Sequence, residues 1–178
     1  MFVTGAPGVG KTTLMQRIHD HYKNKGLRLD GMLTQEVRKG DERIGFKITD
    51  LSSGAEGWLA RMGESVGPRI GKYNVDSEDL EEIGVGALKR AAEGSAGLVL
   101  VDEIGPMEMT SSAFRGTLAK LLSSGRNVIA TVKYRSHYPE IERSPGFAEA
   151  VSLEISRDNR EEMIRRILSI VDAWTERS

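Results

Sequence analysis

The chain has 178 residues, 39% hydrophobic and 29% charged, enough apolar content to fill one globular core, so a single domain spanning 1–178 is expected. A formal net charge of −1 offers no basic face to a nucleic acid or an anionic membrane. The absence of cysteine excludes a disulfide framework, a thiolate metal site and a cysteine nucleophile together.

Phe2-Val3-Thr4 is a short β-branched and aromatic run that reads as a strand. A strand beginning there leaves no room for a signal peptide, and no later segment has the length of a membrane span; a cytoplasmic monomer is the expectation. Next come Gly5, Ala6, Pro7, Gly8, Val9, Gly10, Lys11, Thr12 and Thr13, in which Gly5, Gly10, Lys11 and Thr12 fill every fixed position of G-x-x-x-x-G-K-[ST], the Walker A phosphate loop. Polyphosphate oxygens need several inward-pointing backbone N–H groups, and a chain curled that tightly needs the unusual φ that glycine tolerates. Lys11 brings an ammonium to the β- and γ-phosphates and Thr12 a hydroxyl to Mg²⁺. Both lie on the first turn of a helix whose positive end faces the anion. Leu14, Ile18 and Tyr22 mark that helix at i, i+4, i+8, and Gly26 stops it.

Gly31 to Arg38 and Arg43 to Leu51 flank Lys39-Gly40-Asp41-Glu42 as the arms of a β-hairpin, with Ile44, Phe46 and Ile48 on one face. A third extended piece is expected near Gly57 to Ala60, and the whole reads as an insertion or an added antiparallel edge. Met62 to Tyr73, with Gly63, Gly67, Pro68 and Gly71 among Arg61, Arg69 and Lys72, reads as a loop; the alternative is a flap carrying Arg69 or Lys72 to a phosphate. Ser77 is placed to cap a helix striped by Leu80, Ile83, Gly84, Ala87, Leu88 and Ala91. Gly97 to Val101 is a continuous apolar run, as in a central parallel strand, and ends in Asp102-Glu103. Ser111 or Ser112 opens a helix with Phe114, Leu118, Leu121 and Leu122 inward, stopped by Gly125, and Asn127 to Lys133 is the next core strand. A loop from Tyr134 to Phe147 holds Arg135, His137 and Arg143. A strand over Val151 to Ile155 follows, and Asp158 with Glu161 spells a capping box for the last helix. The alternation gives an α/β fold of the three-layer P-loop NTPase type: a mainly parallel sheet between helices, with an antiparallel β-hairpin insertion.

An apolar strand ending in an acid is the Walker B pattern. Asp102 would hold the Mg²⁺ that bridges the β- and γ-phosphates, together with Thr12, and Glu103 would polarise a water for in-line attack on the γ-phosphate. Lys11 and Glu103 are therefore the catalytic candidates, Thr12 and Asp102 the metal candidates. Thr131 is a candidate hydrogen-bond partner for the γ-phosphate or the water, and Arg135 and Arg143 for a transition-state cation on a closing flap. His19, His21 and His137 have no partners at ligand spacing and read as solvated. Three classes of activity fit: a hydrolase, a nucleotide or nucleic-acid kinase with the Tyr134 to Phe147 stretch as its lid, and a nucleotide-dependent switch.

Further segments narrow the choice. Gln35-Glu36-Val37-Arg38, Ile44-Gly45-Phe46, Gly71-Lys72-Tyr73-Asn74-Val75-Asp76, Val101-Asp102-Glu103-Ile104-Gly105-Pro106-Met107-Glu108 and Asp158-Asn159-Arg160 occur in order along nearly the whole chain. Together with the phosphate loop they resemble the THEP1-type nucleoside-triphosphatases. The resemblance implies an enzyme that hydrolyses ATP, GTP and other nucleoside triphosphates to diphosphate and phosphate, with Mg²⁺, little base selectivity and slow turnover. It also implies a fold related to nucleotide kinases and to ATPases with a catalytic glutamate. By position, Gly5 to Thr12 would bind phosphate, and Leu98, Val99, Leu100, Val101, Asp102, Glu103, Ile104 and Gly105 would form a second nucleotide-contacting segment.

Overall fold

Phe2 and Val3 are buried on opposite sides of a short strand, β1 (Phe2–Thr4), from which the chain passes through the phosphate loop into α1 (Lys11–Asn24). The structure is a computed structural model describing residues 1–63 and 67–176. Leu14, Met15, Ile18 and Tyr22 set one stripe of α1 into the core, and left-handed Gly26 (φ 76°) follows its end. The next strand, β2 (Leu29–Lys39), has two halves. Its first, Leu29–Met32, pairs in parallel with the strand that carries Asp102; its second pairs antiparallel with β3 (Glu42–Asp50). The expected hairpin is thus the overhang of a core strand. β4 (Glu56–Arg61), β5 (Arg69–Ile70) and β6 (Tyr73–Val75) extend the antiparallel run. The stretch Met62 to Tyr73, expected as a loop, contains β5, turned into β6 at Gly71; positions 64–66 of that stretch lie outside the described residues.

Asp76, and not Ser77, caps the following helix, its carboxylate accepting from the Asp79 amide at 3.3 Å. That helix runs as α2 (Ser77–Asp79), a π turn over Leu80–Val85, and α3 (Gly86–Glu93). Gly84 lets it close on the sheet: a β-carbon there would stand 2.8 Å from the Ile48 side chain. β7 (Leu98–Ile104) buries Leu98 to Val101 completely and continues through Asp102 and Glu103 rather than ending at them. Ser111 caps α4 (Ser112–Leu122) by accepting from the Phe114 amide at 3.1 Å, and β8 (Val128–Val132) follows. The stretch expected as a loop before the last strand holds two single-turn helices, α5 (Pro139–Glu142) and α6 (Pro145–Ala148), each opened by proline. β9 (Ser152–Glu154) and α7 (Arg160–Thr175) complete the chain. The expected capping box does not form. Asn159 turns its side chain back to the Ser156 amide at 2.8 Å, and Glu161 instead pairs with Arg17 of α1 at 2.6 Å.

The strands form one nine-stranded sheet in the order β5-β6-β4-β3-β2-β7-β8-β1-β9. Its parallel part, β2-β7-β8-β1-β9, is sandwiched by helices because successive residues face opposite layers. Leu98 and Leu100 pack with Val3 and Ile129 under α1 and α7, while Val99 and Val101 pack with Phe2 and Ala130 under α3 and α4. This is the layered α/β arrangement expected from the alternation of elements. The carboxyl ends of β1 and β7 open at one edge, with β8 between them, which is where ligands of such sheets sit. Among the described residues no helix is long and apolar enough to cross a membrane.

Candidate active site

The phosphate loop needs two left-handed residues, Gly8 (φ 76°) and Gly10 (φ 98°), and Gly10 is also the N-cap of α1. Its carbonyl accepts the first helical bond, from Leu14 at 2.9 Å. The amides of Lys11, Thr12 and Thr13 have no acceptor inside the helix, and no acid occupies the first turn to satisfy them. Such a terminus attracts an anion. The Lys11 ammonium, almost enclosed, donates to the Gly5 carbonyl at 3.0 Å and lies 3.7 Å from the Glu103 carboxylate.

Asp102 is fully buried. Its carboxylate accepts from Thr131 at 2.6 Å and from Thr34 at 3.2 Å, and the Thr12 hydroxyl is near enough to favour its charged form. Burial pushes its pKa up, opposed by these three hydroxyls and by the nearby Lys11 charge. Thr131 is therefore turned to the aspartate and not, as its position suggested, to the cleft. Thr34 was missed because a threonine in a strand carries no signal of its own; only the parallel pairing of β2 with β7 brings it to Asp102.

Glu103 is about one-third exposed (32%) and lines the cleft. Burial raises its pKa first, Lys11 opposes, and the Asp102 charge adds to the rise. Beyond it, Glu108 is buried with its pKa pushed up to about 8, chiefly by burial and then by the Glu103 and Asp102 charges. Gly105 separates the two glutamates: a β-carbon there would stand 2.9 Å from Glu103 Oε1 and 3.0 Å from Glu108 Oε2. Leu98 to Val101 lie inside the sheet as core, so of the Leu98–Gly105 segment Glu103 is the residue on the cleft wall.

The cleft has a volume of about 670 Å³ and opens above Pro7, Gly8, Gly10, Lys11, Thr12 and Thr13. Lys133 and Tyr134 also line it, whereas Arg135 and Arg143 are exposed and do not, and neither Arg69 nor Lys72 reaches it. Arg135 stacks at 5.0 Å on Tyr134, and Lys72 pairs with Glu42 at 3.3 Å. A different arginine stands at the loop. Arg160, first residue of α7, packs so closely on Gly10 that a β-carbon there would lie 3.0 Å from its Nη1, and its buried Nε has no hydrogen-bond partner among the described residues. Its place follows from β9 lying against β1 and could not be read from spacing.

A family model described as NTPase matches residues 1–168. The chain belongs to this NTPase family. A relative from Thermotoga maritima, named nucleoside-triphosphatase THEP1, is 43% identical over 171 residues, covering 96% of this chain and 94% of its own. One of the same name from Thermofilum pendens is 47% identical over 133 residues, 75% of this chain and 72% of its own. The crystal structure of THEP1 from Aquifex aeolicus superposes with a TM-score of 0.81 at 32% identity, covering 96% of this chain and 98% of its own. The solution structure of a human cancer-related nucleoside triphosphatase gives 0.80 at 33% identity, covering 97% of each. Family and fold are those the motifs led us to expect, and for this NTPase chain the phosphate loop and the β7 acids belong to one edge of the same sheet.

Proposed function

We infer that the chain is a nucleoside-triphosphate phosphohydrolase, releasing diphosphate and phosphate. The observation that carries this reading is the convergence of Lys11 and Thr12 from one strand end with Asp102 and Glu103 from another, in a chain of the NTPase family.

The residues present fit a magnesium ion. Thr12 and Asp102 stand close to one another and offer hard oxygen donors, as Mg²⁺ requires. Among the described residues no cluster of three or more His, Cys, Asp or Glu forms an all-protein cage, in keeping with a metal shared with substrate phosphates. When bound, Mg²⁺ supplies charge neutralisation at the phosphates. In our reading the loop amides and the α1 terminus bind the polyphosphate, and Lys11 exchanges its Gly5 and Glu103 partners for phosphate oxygens. Glu103 accepts the proton of the attacking water; a carboxylate made more basic by burial suits that task. Arg160, on the β9 side of Gly10, holds the α-phosphate end of the substrate, reading charge and not the base.

The test is phosphate release from ATP, GTP, CTP and UTP with Mg²⁺, comparing wild type with Glu103→Gln and Lys11→Ala. We expect all four to be hydrolysed, Glu103→Gln to bind but lose at least about 100-fold in turnover, and Lys11→Ala to lose tight binding. Turnover retained by Glu103→Gln would move the base elsewhere.

A further inference from the structure

The cleft is longer than a phosphate loop needs. Its other end is built by β2, β3, β4 and β5, through Thr34, Glu36, Phe46, Leu59 and Ile70. Thr34 and Glu36 are two apart on one strand and share a face, and Phe46 stands directly across the ladder from Glu36. Three segments that carry the family resemblance, Gln35–Arg38, Ile44–Phe46 and Gly71–Asp76, meet here, and triphosphate hydrolysis uses none of them.

Arg43 is the organising side chain of this end. Its Nη1 bonds Glu36 at 2.9 Å, its Nε donates to the Tyr73 hydroxyl at 2.8 Å, and its guanidinium lies 5.0 Å from the Phe46 ring and 5.7 Å from the Tyr73 ring. Phe46 and Tyr73 are themselves packed edge to face at 5.3 Å. Among the described residues Nη2 has no hydrogen-bond partner, and the side chain, held on three sides, is still 43% exposed and on the cleft wall. A preorganised guanidinium with donors left over is a recognition group. The Glu36 carboxylate beside it is bonded by Arg43 through Oε2 and by Arg38 through Oε1, which fixes it in place and leaves one further lone pair on each oxygen, so donor and acceptor stand side by side above an apolar floor of Phe46, Leu59 and Ile70.

That combination selects a chemical class. A bare anion would leave the floor of Phe46, Leu59 and Ile70 uncovered, and an aliphatic ligand would leave the Arg43–Glu36 edge unmatched. A heteroaromatic base lays its face on the floor and turns a hydrogen-bonding edge to the pair. The base cannot be that of the hydrolysed triphosphate. Sheet order puts Glu103 of β7 between the loop on β1 and the strands of this compartment, while Arg160 and β9 lie on the opposite side of β1. In-line attack from the Glu103 side sends the leaving diphosphate and its nucleoside away from β2.

We propose that the β2–β5 end of the cleft is a second binding site, for a nucleoside-class molecule held by Arg43, Glu36 and Phe46 on the attack side of the γ-phosphate. This rests on the reading of Glu103 as the group facing that phosphate.

The experiment loads the full chain with Mg²⁺ and a non-hydrolysable triphosphate analogue, then titrates adenosine, guanosine, cytidine and uridine by calorimetry or ligand-observed NMR. Expected is saturable binding of at least one nucleoside to the loaded protein, weakened tenfold or more in Arg43→Gln and in Glu36→Gln, with analogue affinity in both variants as in wild type. No nucleoside binding to the loaded protein, or binding that survives both substitutions, overturns the proposal. A nucleoside that binds the empty protein and is expelled by the analogue also overturns it, since the compartment is then the triphosphate's own base site; hydrolysis by Glu103 stands in that case. Failure of the analogue to bind at all strikes the phosphate-loop reading and removes this one with it.

Discussion

Glu108 carries an unneutralised cost that pH exposes. Burial, then the Glu103 and Asp102 charges, raise its pKa from the ordinary 4.5 to about 8. Between those values the folded chain holds a proton that the unfolded chain has lost, so stability falls as pH rises across that window, by up to about 1.4 kcal/mol per unit. Below 4.5 both states are protonated and above 8 both are ionised, and the dependence ends. Glu108→Gln keeps the shape without the charge. Thermal unfolding of the metal-free protein from pH 4.5 to 9 should show wild type losing stability relative to this variant; parallel curves would mean that Glu108 is ionised throughout. Arg160 belongs to the same scale. If it holds the α-phosphate end, Arg160→Ala raises KM for all four triphosphates about equally, by roughly tenfold to a hundredfold for a charged hydrogen bond, with kcat little changed. A loss confined to kcat would assign it to the transition state instead.

At the scale of elements, the junction between the two halves of the sheet is the sensitive place. Gly31 of β2 sits at φ 103° against Leu100 of β7, and a β-carbon there would lie 2.0 Å from the Leu100 carbonyl oxygen. The left-handed backbone and the overlap act together, so Gly31→Ala should cost about 3 kcal/mol or more by urea denaturation. Because β2 also delivers Thr34 to Asp102, the variant should weaken Mg²⁺-dependent nucleotide binding as well as stability. A neutral outcome would show that the strand shifts without penalty. Elements whose identity rests on local periodicity were legible: α1, α4, β7 and the hairpin arms are all found close to where apolar spacing and glycine mark them. Elements fixed by one or two hydrogen bonds were not. Asp158 with Glu161 spells a capping box, yet the long reach of Arg17 from α1 takes Glu161 out of it. The Met62 to Tyr73 stretch looks like a loop because a two-residue strand leaves too few alternating positions to show a period.

In the whole molecule, one sheet joins two chemistries. Its parallel half places the loop of β1 and the acids of β7 at one edge, and its antiparallel half continues that edge into the compartment of Arg43 and Phe46. A cleft shared this way has a wall that no single motif describes. The acids are graded along it by burial: Asp102 is closed in by threonines, Glu103 is partly open, and Glu108 is closed again with no ion-pair partner among the described residues. Burial of this kind depends on every neighbouring element at once.

The sequence by itself determined the phosphate loop, the acidic strand and the α/β alternation. These rest on bonding rules that act within a few residues: glycine's φ range, helical and strand periods, and the need of a polyphosphate for backbone amides. Tertiary structure alone decided which hydroxyls hold Asp102, which arginine stands at Gly10, and that Glu36, Arg43 and Phe46 face the same cavity as the phosphate loop. The contacts at Asp102 and Gly10, and the meeting of the β2–β3 hairpin with the phosphate loop in one cleft, join residues tens of positions apart, and their energy depends on strand order and register, which no local pattern in the chain encodes.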